Sequence, residues 1–475
     1  MNGQGVTARW QRAKYVVSDW LMSNLAFLLF NICRYQLLRN EFDNGADLQA
    51  FLFSAKLLIE QAIVPFVMTG VFWLSGYYNQ PFGKSRLQEL LTTIYSALVN
   101  TTLIYLVLLI NDQTGIRALN YEMLLSLFGL MFLPVYLCRF FITKDASSRF
   151  RSHKWEMRTL MIGNSNVARQ TARQLLSAPS RMSYDIAGYV NIPGETVSEE
   201  RGEVYSLEDI RNVCKRLRID VLIIAPENIN DEKILTLLYH LYPLNISIKI
   251  APDTYSFITS AIRLKDIYGE PFVDLTSPSI SEASKNIKRT CDVVISLIVL
   301  VLLSPVYLAI ALMVRFDSSG RIIYSQERIG RKQKPFRIYK FRTMREDAER
   351  EGPQLSGDSD PRITRVGKRL RKYRLDELPQ FWNVVKGDMS IVGPRPERRY
   401  YIDKIMERAP YYALVYQVRP GITSWGMVKY GYASNLDQMV ERTRYDLIYI
   451  SNMSLSLDMK ILIYTVSTVI GGKGI

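Results

Sequence analysis

The sequence predicts a membrane protein in three parts: an α-helical N-terminal bundle, a Rossmann-like α/β middle domain, and a C-terminal α/β-type domain carrying a re-entrant membrane helix. Three observations lead there. Four apolar runs fill the first 145 residues. Short apolar strands then alternate with helical stretches from about Trp155 to Leu264. A fifth apolar run, broken by a Ser-Pro step, opens a C-terminal part rich in Lys and Arg. The boundaries expected are 1–145, 155–265 and 281–475, within the two to four domains that 475 residues suggest.

The N-terminal runs cover roughly 16–38, 51–74, 87–110 and 121–142. Each is long enough to cross a hydrocarbon core of about 30 Å as a helix. The first begins too late and is too polar for a signal peptide, with Asp19, Asn24 and Asn31 inside it. Arg9, Arg12 and Lys14 precede the first run, Lys84 and Arg86 the third, while Lys144, Arg149, Arg151 and Lys154 follow the fourth. Loops 40–50 and 111–120 are poor in Lys and Arg, which places both ends of the bundle in the cytoplasm. Asp19, Arg34 and Glu60 lie at or near membrane depth. They form no periodic set that suggests a transport path, so pairing between helices or snorkelling is the preferred reading.

The middle domain reads as strands at 159–162, 186–190, 221–224 and 246–250, with a helix over 166–176. Alternating strands and helices imply a parallel sheet. The turn from Gly163 to Ala168 sits where a dinucleotide fingerprint would be, but Ser165 and Ala168 replace its later glycines. A side chain at Ser165 hinders close approach of a pyrophosphate. A helix N-terminus can still attract an anion, yet a structural or regulatory role is preferred. Nucleotide-sugar epimerase or dehydratase chemistry is disfavoured, because no Tyr-x-x-x-Lys pair lies nearby.

The fifth run, 293–314, has Ser304-Pro305 in its middle. Proline removes a helical hydrogen bond and clashes with the preceding turn, so the helix breaks or bends there. Lys285, Lys288 and Arg289 precede it and Arg315 and Arg321 follow, so both ends favour the cytoplasmic face. A helix over 291–316 that enters, bends at Ser304-Pro305 and returns satisfies both facts.

The formal net charge is +15 in a chain that is 48% hydrophobic. That pairing points to phospholipid headgroups and phosphorylated substrates as partners. Nucleic acid is not expected, for no nucleic-acid motif accompanies the basic residues. Cys33, Cys138, Cys214 and Cys291 are far apart and form no CxxC pair, which argues against a zinc site or disulfide framework. His153 and His240 are remote from the remaining motif and read as ordinary surface residues.

That motif spans 371–397. Asp376 and Glu377 are adjacent, surrounded by Leu375, Leu378, Phe381, Trp382 and Val385, with Arg371, Arg374, Lys386 and Arg395 as candidate charge partners. Carboxylates beside apolar residues need such partners. Pro394 and Pro396 stiffen the backbone around Arg395, which suits a fixed guanidinium gripping an anionic oxygen. Upstream, alternation along a strand at 335–339 puts Lys340 and Arg342 on one face, aimed together at a diphosphate. Arg328, in the segment from Gln326 to Gly330, is a further substrate-binding candidate, with a structural strand-turn as its alternative. Downstream, 419–426 is turn-rich and offers either sugar or base contact or scaffold packing. The stretch 445–470 suits helices lying in the membrane interface.

At these residues the chain resembles a known family. LDELPQFWNVVKGDMSIVGPRP is similar to the signature of the bacterial sugar transferases, the monotopic phosphoglycosyl transferases. The likeness extends upstream through KRTCDVVISLIVLVLLSPVYLAIALMVRF to RIYKFRTM and downstream to RPGITSWGMVKYG. The resemblance implies transfer of a hexose-1-phosphate from a UDP-sugar to undecaprenyl phosphate with release of UMP, the first membrane step of capsule, exopolysaccharide or O-antigen synthesis. It implies Asp376 as nucleophile through a covalent phosphosugar-aspartate, Glu377 as a ligand of Mg²⁺, and Arg371 and Arg395 as phosphate contacts. It also implies the re-entrant helix and a bacterial inner membrane protein with its catalytic domain on the cytoplasmic face. Glucose and galactose are the expected sugars, with N-acetylated sugars open. A homodimer is compatible with the sequence.

Overall fold

The computed structural model describes residues 3–38, 47–111, 117–177, 182–195, 198, 202–225, 227, 231–251, 273–274, 280–345, 348, 360–431, 433 and 435–471. The expected end of the middle domain, 252–264, lies outside the described residues, as do parts of the two Lys/Arg-poor loops, 40–46 and 112–116. The chain divides into two compact units. One comprises Met1–Glu227, Ile250–Val273 and Ser281–Asn286; the other comprises Asn228–Lys249, Asp274–Ile280 and Ile287–Ile475.

The first unit opens with α1 (Gly3–Leu38), the short α2 (Leu48–Leu52), α3 (Ala55–Leu74), α4 (Arg86–Asn111) and α5 (Arg117–Arg151). All but α2 are long and apolar enough to cross a membrane, as the sequence predicts. Ala26, Phe27 and Phe30 of α1 pack with Met68 of α3 and Leu127 and Met131 of α5. The charge at Asp19 is resolved by pairing: Arg139 of α5 donates to it from both Nε (3.1 Å) and Nη2 (2.5 Å). Tyr78 adds a hydroxyl at 2.7 Å, and Arg139 Nη1 donates to Thr93 of α4 at 2.9 Å. Both partners of this pair are fully buried, so each charge depends on the other.

The α/β part of this unit contains β1 (Met157–Ile162), α6 (Asn166–Ser177), β2 (Tyr184–Asn191), β3 (Val204–Ser206), α7 (Ile210–Leu217) and β4 (Val221–Ile224). The strands lie in the order β3-β2-β1-β4 and run parallel. Leu160 to Ile162 of β1 and Val221 to Ile224 of β4 are continuous buried apolar runs, as strands covered on both faces require. Gly163 ends β1 at φ +122°, where a Cβ would stand 2.8 Å from the Ala225 carbonyl oxygen, so the turn needs glycine. Ser165 is buried and its Oγ accepts from the Ala168 amide at 3.3 Å, starting α6 rather than opening space for a ligand. The expected last strand is present as β5 (Ser247–Ile250), and Ala251 just after it donates to the Ile224 carbonyl at 2.8 Å. It follows α8 (Asp231–Leu241) and precedes the two-residue β6 (Val273–Asp274).

The C-terminal part begins with α9 (Glu282–Leu302) and α10 (Ser304–Asp317), bent by 63°. The break falls on Leu303, one residue before the Ser304-Pro305 step named from the sequence. Ser304 and Pro305 are instead the first two positions of α10, where a missing amide hydrogen is no loss and φ is already helical. β7 (Ile323–Ile329) pairs antiparallel with β8 (Pro335–Phe341). There follow α11 (Arg365–Lys372), a 3-10 turn at Leu375–Glu377, α12 (Gln380–Lys386) and β9 (Ser390–Val392). Then come α13 (Arg399–Arg408), β10 (Gly421–Thr423), α14 (Trp425–Lys429), α15 (Leu436–Ser451) and α16 (Leu455–Ile470). β10 runs parallel to β9. One core holds this part together, with Val384, Met389, Ile402, Ile405, Met439, Tyr449 and Ile461 at its centre. At 16 residues α16 is shorter than a span, and it exposes Met459, Ile463, Tyr464 and Val466 along one flank, as an interfacial helix does. The cysteines are free; His153 bonds to Glu156 and His240 to the Thr236 carbonyl, each near it in the chain.

Candidate functional site

Asp376 and Glu377 occupy the 3-10 turn between α11 and α12, not a helix face. Arg374 precedes the turn in the left-handed region (φ 53°) and reverses the chain. Pro379 then starts α12. Both carboxylates are buried. Leu375 and Leu378 anchor the turn against Ile310 and Val314 of α10 and Phe341 of β8. Tyr307 of α10 donates its hydroxyl to the Leu378 carbonyl at 2.7 Å, joining the bent helix to the turn. The remaining expected apolar neighbours lie elsewhere. Phe381 packs into the main core, and Trp382 is 54% exposed.

Three cations converge on Glu377. Lys340 Nζ donates to Oε1 at 2.6 Å, Arg395 approaches Oε1 at 3.6 Å, and Arg374 approaches Oε2 at 3.6 Å. Lys386 is not among them: it lies on the surface beside Asp388 at 3.3 Å, because α12 turns its last residue outward. The turn and β8 are locked by Asn383, whose Nδ2 donates to the Arg337 carbonyl (2.7 Å) and whose Oδ1 accepts from the Tyr339 amide (3.1 Å). That side chain sits in the signature, but its bridging role depends on a strand 44 residues away.

The electrostatics differ between neighbours. Burial pushes Asp376 up to about 6, with Lys340 opposing and Glu377 reinforcing the rise. Burial also acts on Glu377, but there Lys340, Arg395 and Arg374 outweigh it and hold the carboxyl well below its ordinary range. A pair whose environments pull apart in this way can take two roles.

Both carboxylates line a cavity of about 520 Å³. Among the described residues its wall carries Lys340 and ten arginines against Asp376, Glu377 and Glu397, an excess that suits a polyanion. All the expected substrate contacts are in this wall: Arg328, Lys340, Arg342, Arg371 and Arg395. They are not equivalent. Arg371 donates from Nε to Thr343 Oγ1 at 2.9 Å and pairs with no carboxylate among the described residues. Arg328 is tied to Glu397 (3.3 Å) and Gln326 (2.7 Å) within β7, the strand-turn alternative. Arg342 does not join Lys340; its Nη2 reaches back to the carbonyl and hydroxyl of Ser318, at 2.6 and 2.9 Å. None of Arg419 to Gly426 lines the cavity, and this segment is scaffold: Arg419 donates to the Gly387 carbonyl and Ser424 caps α14.

Two residues of α15 escape notice in the sequence. Arg442 pairs with Glu397 at 2.6 Å. Asp446 accepts from the Gly426 amide at 2.9 Å and from the backbone of Arg395. One helical turn apart, they hold the Pro-Arg-Pro segment from behind. Their spacing is that of any buried helix face, so no local signal reveals them.

Comparison with known proteins supplies the family. Residues 283–472 match the bacterial sugar transferase family. The chain is 45% identical over 188 residues to a UDP-N-acetylgalactosamine-undecaprenyl-phosphate N-acetylgalactosaminephosphotransferase of Aeromonas hydrophila, covering 40% of this chain and 44% of that protein. It is 30% identical over 346 residues to a UDP-glucose:undecaprenyl-phosphate glucose-1-phosphate transferase of Escherichia coli (strain K12), covering 72% of this chain and 74% of that one. A UDP-galactose-lipid carrier transferase of Erwinia amylovora is 29% identical over 343 residues, 68% of this chain and 70% of its own length. The match thus spans less than half of the first relative and about three quarters of the second. The chain belongs to the bacterial sugar transferase family.

Proposed function

We propose that this protein transfers a sugar-1-phosphate from a UDP-sugar to undecaprenyl phosphate, releasing UMP. The observation that carries the reading is the buried Asp376-Glu377 pair under three cations, at the wall of a cavity lined by arginines. A nucleotide diphosphate and a phosphate monoester are both anions, and neither attacks the other readily until charge is neutralised. Splitting the transfer through a carboxylate nucleophile removes the need for them to meet directly.

In this reading an oxygen of ionised Asp376 attacks the β-phosphorus of the UDP-sugar. The bond from that phosphorus to the bridging oxygen breaks, and UMP leaves with the electron pair. An oxygen of the acceptor phosphate then attacks the phosphorus held on Asp376. The acyl phosphate P–O bond breaks, the carboxylate is restored, and a diphosphate-linked lipid departs. Arg371 and Arg395 neutralise phosphate oxygens during both steps, and Lys340 keeps Glu377 ionised beside them.

The donor set fits Mg²⁺ as an ion that takes one or two carboxylates and completes its shell with substrate phosphates. Glu377 is the carboxylate that would hold it, sharing its oxygens with Lys340. An all-protein cage is not offered, for no group of three His, Cys, Asp or Glu gathers among the described residues. The ion would supply charge neutralisation at the diphosphate.

The bend between α9 and α10, with basic residues at both ends, supports a re-entrant helix and a catalytic part on the cytoplasmic face, where nucleotide sugars are. The named relatives divide between glucose, galactose and N-acetylgalactosamine. The longer matches favour a hexose, glucose or galactose, and a place at the start of capsule, exopolysaccharide or O-antigen synthesis.

The test is UMP release by the purified protein across a panel of UDP-sugars, with Mg²⁺ and polyprenyl phosphate. One UDP-sugar is expected to yield UMP and a lipid-linked diphosphate, and Asp376→Asn is expected to abolish both. Release from no UDP-sugar would sink the reading; turnover by Asp376→Asn would remove Asp376 as nucleophile.

A further inference from the structure

We propose that the sugar ring of the UDP-sugar is seated by the arm of the cavity that β7 builds with Glu397 and α15, and that Gln326 and Tyr324 bind its hydroxyls. The inference rests on the transferase reading and adds where the sugar lies.

The register of the hairpin formed by β7 and β8 sets the directions. Tyr324 is opposite Lys340, Gln326 opposite Ile338 and Arg328 opposite Phe336. Opposed residues of an antiparallel pair share one face, with Cβ atoms about 4.5–5.5 Å apart. Tyr324 therefore stands beside the ammonium that holds Glu377. Tyr324, Gln326 and Arg328 alternate onto that face, and all three line the cavity. From Tyr324 to Arg328 they run about 13 Å along β7, away from Lys340. The chain beyond β8 goes the other way: past Lys340 it leads to Arg342, Thr343 and Arg345, with Arg371 bonded to Thr343. The two directions part at Lys340.

The two arms differ in chemistry. The arm at Arg342 is cationic, and Arg342 keeps a buried Nε and Nη1 without a hydrogen bond among the described residues, which suits phosphate oxygens. The β7 arm is mixed. Gln326 Nε2 donates to the Tyr324 hydroxyl at 2.8 Å and its Oε1 accepts from Arg328 Nη2 at 2.7 Å, which fixes the direction of the amide. Arg328 and Arg442 both turn to Glu397, at 3.3 and 2.6 Å, and Arg398 lies near Arg328. Ile338, Ala433 and Met439 give this arm an apolar side. A hexose is neutral, with hydroxyls around its rim and C–H groups on its faces. An oriented amide and phenol beside an apolar surface match it, whereas phosphates gain more from the guanidinium arm. The nucleotide and the sugar leave the β-phosphorus in different directions, so a UDP-sugar attacked there by Asp376 needs two arms.

The experiment uses the full chain in lipid nanodiscs and the UDP-sugar that the panel identifies. It measures kcat/KM for that UDP-sugar beside the inhibition constant of UDP, which lacks the sugar. Gln326→Ala is expected to lower kcat/KM roughly 5- to 50-fold, the loss of one or two hydrogen bonds, and to leave the UDP constant within about 2-fold. Tyr324→Phe alters only a hydroxyl at a 39% exposed position and is expected to lower kcat/KM roughly 3- to 10-fold. Within a set of monodeoxy UDP-sugars, the one lacking the contacted hydroxyl is expected to show no difference between wild type and Gln326→Ala. UDP inhibition that weakens as much as UDP-sugar turnover would assign the β7 arm to the nucleotide and overturn the proposal. A difference that persists for every deoxy sugar would reduce Gln326 to a support for Arg328 and overturn it too. If the wild-type protein releases no UMP from any UDP-sugar, the transferase reading fails and the sugar arm with it; an active wild type whose two variants keep its kcat/KM sinks the sugar arm alone.

Discussion

Replacing Lys340 by Met tests whether the cation under Glu377 sets the ionisation of the whole dyad. The ammonium donates to Glu377 at 2.6 Å and is the largest opposing influence on the raised Asp376. On Asp376 the ammonium acts through its charge rather than a hydrogen bond, and a nearby opposite charge moves a carboxyl by about 1–3 pKa units. Removing a positive neighbour disfavours the charged form of a carboxyl, so the shift is upward, by roughly one to two units. Asp376 begins at about 6. The acid limb of the pH–rate profile is therefore expected to move from about 6 to about 7–8. Near pH 7 the ionised fraction of the dyad then falls from about nine tenths to between roughly one half and one tenth, with recovery at higher pH. The limb belongs to the coupled pair rather than to either carboxyl alone. The assay is the initial rate of UMP release across this pH range, with Lys340→Arg in parallel to keep the charge. A limb that stays put in Lys340→Met, or moves to lower pH, refutes the reasoning.

Other perturbations follow from packing. In Gly367→Ala the new Cβ would stand 2.8 Å from the Thr343 carbonyl carbon, so the backbone that holds Arg371 must shift. A stability loss of about 1–3 kcal/mol with a raised UDP-sugar KM is expected, and an unchanged melting temperature would contradict it. Asp446→Ala strands the buried Gly426 amide and removes the acceptor behind the Arg395 backbone, at a cost of about 1–3 kcal/mol visible as lowered melting temperature and weaker donor binding. Arg139→Leu leaves Asp19 buried without its counter-charge, with the Tyr78 hydroxyl as its remaining donor, and is expected to cost about 3–5 kcal/mol; the double variant with Asp19→Asn should recover much of the loss in a thermal melt. No recovery would mean that the pair does not act as a unit.

Much of this was legible locally. Apolar runs predict the four long helices because lipid exposure demands uninterrupted side chains, and short aliphatic runs predict β1, β2, β4 and β5. The Ser304-Pro305 step predicts a bend but places it one residue late, since proline disrupts the turn before itself and the conformational change falls on Leu303. The dyad and Arg395 stand out because several residue types converge within one segment. What stays hidden is partnership across distance. Arg342 and Lys340 share a sequence pattern yet part company, because the strand ends at Phe341 and Ser318 captures the guanidinium. Lys386 looks equivalent to Arg374 until α12 carries it outward. Arg139, Asn383, Arg442 and Asp446 act only through residues brought near by folding, and nothing in their neighbours along the chain says so.

The pairing of Asp19 with Arg139 also bears on how the protein is made. The two residues are 120 positions apart, so at about 5–20 residues per second the carboxylate emerges from the ribosome roughly 6 to 24 s before its guanidinium. During that interval α1 carries a charge with no counter-ion in a setting that penalises one. The pairing therefore predicts that α1 settles at full depth only when α5 arrives, while most of the 475-residue chain is still unmade. A chain halted before Arg139 would leave α1 with its charge exposed to lipid, a ready mark for membrane quality control.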